Sequence, residues 1–241
     1  MDSEPTVVMS KFATPIAVIL GGLFIAGAII WTNGHPSSQT ATNPQSAQTP
    51  PAQTADISKV KIDGEPFIGN PNAPITIAYW YDYQCPFCHQ NEENTMPQLI
   101  KDYVDTGKAK LVFKDFQFLG PDSQTLGQFS RAVWAVAPDE FYQWHKAIYD
   151  NQGTENTGWA THDKIMSITT SVLGAADATK VNQLVISNGA EYQKEMDADK
   201  AEGSGFGVTG TPSFIIGKHL IIGAQPYAVI KQVIDLTLAG K

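Results

Sequence analysis

The chain has 241 residues, 42% of them hydrophobic and 17% charged, with a formal net charge of -8. This is enough apolar material to bury a globular core without staples. The acidic balance argues against a nucleic-acid-binding surface, since affinity for phosphate backbones comes mainly from Lys and Arg.

In chain order, residues 1–11 precede twenty residues, Phe12 to Trp31, without a charged side chain. At helical rise such a run crosses a hydrocarbon layer of roughly 30 Å, so a transmembrane helix is expected over 12–31. Lys11 flanks it on one side, and no Lys or Arg follows until Lys59, which places residues 1–11 in the cytoplasm. The competing reading is a cleaved signal peptide, with Ala26-Gly27-Ala28 as the cleavage site, although the apolar run exceeds the roughly 7–15 residues usual there. Either way the remainder lies outside, in an oxidising compartment. Residues 32–57 turn to Ser, Thr, Gln, Asn, Ala and Pro, the composition of a flexible linker.

The folded part is expected over 58–241. After the turn-rich Gly69-Asn70-Pro71-Asn72-Ala73-Pro74, the apolar and β-branched run Ile75 to Tyr83 predicts a buried strand ending at Cys85 and Cys88, the chain's two cysteines. Helical spacing follows from Pro86, with a kink at Pro97 and a stop at Gly107. A second strand over 108–116 completes a strand-helix-strand unit with the cysteines at the first strand's C-terminal end, where α/β folds keep their sites. About 122–203 reads as a block of helices with Phe129, Val133, Trp134, Phe141, Trp144, Ile148, Ile165 and Ile168 as core. Ser213–Ile216 and Leu220–Ile222 flank Gly217-Lys218 as a hairpin. A closing helix starts at the first-turn proline Pro226 and ends near Gly240.

Three segments carry a resemblance: Ile68-Gly69-Asn70-Pro71-Asn72-Ala73-Pro74, Asp82-Tyr83-Gln84-Cys85-Pro86-Phe87-Cys88, and Gly207-Val208-Thr209-Gly210-Thr211-Pro212. Their order and spacing over residues 58–241 resemble the DsbA-like (BdbD-type) thiol-disulfide oxidoreductases of the thioredoxin superfamily. The resemblance implies an α/β, thioredoxin-like fold with an inserted helical domain. It also implies a redox-active disulfide in place of any cofactor, unfolded exported proteins as substrates, and reoxidation by a quinone-linked membrane protein of DsbB or vitamin K epoxide reductase type. Pro212 is then the cis-proline facing the cysteines, and Thr211 offers backbone groups to an extended substrate.

Disulfide exchange needs one thiolate to attack and a second thiol to release the mixed disulfide. Cys85, at a helix N-terminus, is favoured as the anion and is the expected nucleophile, while Cys88, one turn inside, is the resolving thiol. Pro86 and Phe87 between them tune the pair. Strongly oxidising members of the resembled family carry His where this chain has Phe87, which cannot donate a hydrogen bond, so a more moderate oxidant is expected. A second departure is the buried acid such proteins often place six residues before the nucleophile: here that position holds Tyr79, and the nearest acid is Asp82.

Other readings compete. Cys85-Pro86-Phe87-Cys88-His89 also fits the c-type haem attachment pattern. A zinc site on Cys85, Cys88 and His89 lacks a fourth ligand, and His35, His145, His162 and His219 are scattered. Gly205-Phe206-Gly207-Val208-Thr209-Gly210 matches a dinucleotide-binding pattern, but helical sequence precedes it and a strand follows, the reverse of what that motif needs. The same fold also serves as an isomerase, a reductase or a non-catalytic envelope chaperone.

Overall fold

The computed structural model describes residues 53–240. The segment 1–11, the spanning helix expected over 12–31, the linker up to residue 52 and His35 lie outside the described residues. Among the described residues no helix is long and apolar enough to cross a membrane.

Six strands form one sheet: β1 (Gln53–Thr54), β2 (Phe67–Ile68), β3 (Ile75–Tyr81), β4 (Ala109–Asp115), β5 (Ser213–Ile216) and β6 (His219–Ile222). Their spatial order is β1-β6-β5-β3-β4-β2, with β3 and β4 parallel and the other neighbours antiparallel. β3 reads as a continuous apolar run because both its faces are covered. Ile75, Ile77, Tyr79 and Tyr81 join the large core shared with the helices, while Ala78 and Trp80 face a second core with Ala55, Val60, Val208 and Leu220. Gln53 and Thr54 depart from the expected linker: they pair with Leu220 and His219, and Ala55 and Val60 bury their side chains, so sparse apolar content did not prevent docking on a sheet edge.

Helix α1 (Pro86–Asn94) and the short α2 (Met96–Leu99) replace the single kinked helix expected from Pro86 onward. The break falls at Thr95, with φ -107°, two residues before Pro97, whose missing N–H cannot continue the ladder. The chain then widens into a π turn over Ile100–Val104, and Gly107 turns it with φ +71°. The helical insertion comprises α3 (Pro121–Val136), α4 (Phe141–Asp150) and α5 (His162–Gly205), the last broken at Gly174, where φ +80° and ψ 163° leave the helix. Phe129, Val133, Phe141, Trp144, Ile148, Ile165 and Ile168 are buried as expected, and Trp134 is half-buried against them. In the hairpin, Gly217 has φ +59° between paired Ile216 and His219. The closing helix α6 runs Tyr227–Leu238, and Pro226 is its cap instead of its first residue, with ψ 145°.

Candidate active site

β3 stops at Tyr81, two residues short of the expected end, because Asp82 turns the chain. Its Oδ1 accepts the N–H of Gln84 at 2.8 Å and the hydroxyl of Ser123 at 2.6 Å; its Oδ2 accepts the N–H groups of Phe118 at 2.8 Å and Leu119 at 3.0 Å. The Cys85 N–H closes the turn on the Asp82 carbonyl at 3.1 Å. Burial pushes the Asp82 carboxyl up against these donors. With both its oxygens engaged in holding two loops together, Asp82 is a clamp on the cysteine loop.

Cys85 caps α1 with extended backbone (φ -71°, ψ 116°), and Pro86 opens the helix. The insertion holds this loop from the other side. Tyr149 on α4 donates to the Asp82 carbonyl at 3.0 Å, and the Gln152 amide reaches the carbonyls of Tyr83 at 2.8 Å and Cys85 at 3.2 Å. Across the site the Thr211-Pro212 peptide is cis, and the Cys85 thiol donates to the Thr211 carbonyl at 3.3 Å. Cys85, Cys88, Pro86, Thr211 and Pro212 are thus brought together. Phe87 stands apart, projecting 61% exposed beside the pair.

Both cysteines are free thiols, with opposite tendencies. A hydrogen bond from Cys88, helped by the Thr211 side chain and by the first N–H groups of α1 at Cys88 and Phe87, lowers the Cys85 thiol to about 6 against the cost of its burial. Cys88 has no exposed surface, and burial, reinforced by Cys85, pushes its thiol well up. That burial also removes the haem reading: no macrocycle can reach the Cys88 sulfur without dismantling the core, and the neighbouring His89 pairs with Glu93 at 3.4 Å. Among the described residues no group of three His, Cys, Asp or Glu side chains is arranged to hold a metal ion.

Several neighbours escaped sequence reasoning. His145, one of the scattered histidines, is fully buried between Tyr83, whose hydroxyl lies 2.9 Å from its Nδ1, and Glu92, 3.3 Å from its Nε2. Glu92 sits four residues after Cys88 on α1. Its i, i+4 spacing is the signal that placed it on the cysteine's face.

The family model described as Thioredoxin matches residues 61–236. Disulfide bond formation protein D of Bacillus subtilis is 25% identical over 183 residues, spanning 75% of this chain and 80% of that protein. The probable disulfide bond formation protein D of Bacillus cereus is 28% identical over 172 residues, spanning 71% and 77%. Among solved structures, oxidised BdbD from Bacillus subtilis superposes with a TM-score of 0.69 at 24% identity, covering 78% of this chain and 98% of that one. The thiol-disulfide exchange protein α-DsbA2 from Wolbachia pipientis gives 0.63 at 24% identity, covering 72% and 87%. Both structures share the fold.

Proposed function

Because the chain belongs to the thioredoxin family, we propose that it is a DsbA-like thiol-disulfide oxidoreductase that oxidises cysteine pairs in exported proteins through a Cys85-Cys88 disulfide. The observation that carries this reading is the pairing of a buried, proton-holding Cys88 with an acidic Cys85 at a helix N-terminus, against the Thr211 carbonyl. The disulfide bond formation proteins it resembles support the same direction of exchange.

A client thiolate attacks the Cys85 sulfur, the Cys85-Cys88 bond breaks, and a mixed disulfide forms at Cys85. The client's second thiol then attacks its own sulfur in that bond, and Cys85 leaves as a thiolate, which its acidity favours. The client has lost two electrons and the enzyme carries a dithiol. Thr211, adjoining the cis-proline and preceding β5, is where an extended client backbone would be held by sequence-tolerant hydrogen bonding. Exposed Phe87 would adjoin the client's apolar side chains. A quinone-linked membrane protein of DsbB or vitamin K epoxide reductase type would restore the disulfide, and a helix over 12–31 would keep the domain near it, outside the cytoplasm.

The test is oxidation of a reduced, unfolded two-cysteine substrate by the full chain, with its equilibrium against glutathione. Wild type should transfer its disulfide stoichiometrically, and Cys85→Ser should abolish transfer. An equally active Cys85→Ser protein would overturn the reading, and a dithiol more reducing than glutathione would make the protein a reductase.

A further inference from the structure

Between the end of β3 at Tyr81 and the start of α1 at Pro86 the chain leaves the sheet, so the carbonyls of residues 82–85 depend on the turn and on side chains for their hydrogen bonds. The insertion supplies them. Tyr149 donates to the Asp82 carbonyl, and the Gln152 amide donates to those of Tyr83 and Cys85. The Cys85 carbonyl is a shared point. It accepts the N–H groups of Cys88 at 3.1 Å and His89 at 3.2 Å, which begin α1, and the Gln152 amide at 3.2 Å. One oxygen thus ties the backbone of the nucleophile to that of the resolving cysteine and to the insertion.

Gln152 is itself braced. Its N–H donates to the Tyr149 carbonyl at 2.9 Å in the last turn of α4. Lys164, at the start of α5, donates to the Asn151 carbonyl at 3.0 Å, with its ammonium 5.0 Å from the centre of the Trp159 ring. Beyond Gln152 the loop folds back so tightly that a Cβ on Gly153 would lie 2.6 Å from the Trp159 side chain. A half-buried amide held in this way loses little freedom in making its hydrogen bonds.

We propose that Gln152 is a positioning residue for ring closure: by holding the Cys85 carbonyl it keeps a sulfur bonded at Cys85 within reach of Cys88. This deepens the exchange reading given above and rests on it. In the step concerned, the Cys88 thiol gives its proton to water and its sulfur attacks that of Cys85. The Cys85-Cys88 bond forms, the mixed disulfide breaks, and the departing sulfur leaves as a thiolate with the electron pair. Cys88 cannot move to meet a displaced partner, because it has no exposed surface and is packed in the core. Cys85 has to be held to it, and the rate follows the fraction of time the cysteine loop is in place.

Two phases separate when the reduced full chain is mixed with oxidised glutathione and quenched at intervals: formation of the Cys85-glutathione mixed disulfide, then ring closure by Cys88. Gln152→Met keeps the length of the side chain and removes its amide. It should slow the second phase by about 3- to 10-fold, from the ordinary net worth of one or two hydrogen bonds. The first phase and the pH profile of Cys85 alkylation should stay as in wild type, because the amide touches carbonyl oxygens and neither sulfur. Gln152→Asn, which draws the amide back by one methylene and stays uncharged, should slow the same phase and decides the matter if Gln152→Met does not fold. A folded variant with the wild-type rate of ring closure would overturn the positioning role, as would one in which both phases slow together or the alkylation profile moves; the exchange chemistry would stand. A wild-type protein that forms no mixed disulfide would overturn both.

Discussion

Cys85 and Cys88 have the same side chain and opposite acidities because one sulfur meets the donors at a helix start and the other sits in the core. With Cys85 lowered to about 6, the reduced folded protein binds fewer protons than the unfolded chain between that pH and the ordinary thiol value of 9.0. Cys85 therefore adds stability to the reduced form at high pH, and that stability is lost as pH falls through 6. The reduction potential should accordingly fall by about 59 mV per pH unit below pH 6, where two protons accompany two electrons, and by about 30 mV per unit above it. A redox titration against glutathione across pH 4.5 to 8 checks the break. Phe87 contributes no donor to the thiolate. Phe87→His should lower the Cys85 thiol by about one further unit, and since one unit is about 1.4 kcal/mol it should raise the potential by about 30 mV. The pH profile of Cys85 alkylation measures the first effect and the glutathione equilibrium the second.

Among the elements, α5 must pass unusually close to the sheet. A Cβ on Gly203 would lie 2.6 Å from Nε1 of the fully buried Trp80, which donates to the Asp199 carbonyl at 3.1 Å. Gly203→Ala should cost about 1–3 kcal/mol through overpacking. Gly205, two residues on, has nothing within 4 Å of its Cβ position, and Gly205→Ala should stabilise by about 0.4–1 kcal/mol by restricting the unfolded chain. Opposite shifts in the urea midpoint at unchanged slope are the expected result. The positions of Pro97, Gly107 and Gly217 were readable as punctuation because each acts locally through a missing N–H or a positive φ. Gly203 was not, because its reason is a tryptophan 123 positions away in the chain.

At the scale of the molecule, insertion and sheet are joined by a buried ion cluster that no motif announced. Lys114 on β4 pairs with Asp199 and Glu202 on α5 and with Glu65 before β2, and Arg131 on α3 pairs with Glu65, Asp115 and Asp199. Carboxylates outnumber cations here, so burial and the neighbouring Glu65 raise the Asp199 carboxyl to about 7, and the proton it takes belongs to the cluster. A group raised in this way adds stability that is complete below its unfolded value of 3.8 and is lost as pH rises through 7. Between pH 4 and 8 wild type should therefore lose on the order of 3–4 kcal/mol relative to Asp199→Asn, which cannot titrate there. Urea denaturation of both proteins at several pH values compares the slopes, and parallel curves would show that Asp199 does not change its proton there.

By itself the sequence determined the local facts: where β3 and β4 run, that a Cys-x-x-Cys pair opens a helix at a strand's C-terminal end, which helical positions are apolar, and where the hairpin turns. These depend on periodicity and on the backbone rules of Pro and Gly, which act over a few residues. Only the tertiary structure decided that Asp82 clamps two loops, that Gln53 and Thr54 join the sheet edge, and that His145 and Glu92 meet in the core. Each of these joins residues far apart in the chain, and a buried carboxyl and a solvated one are spelled with the same letter until packing removes the water.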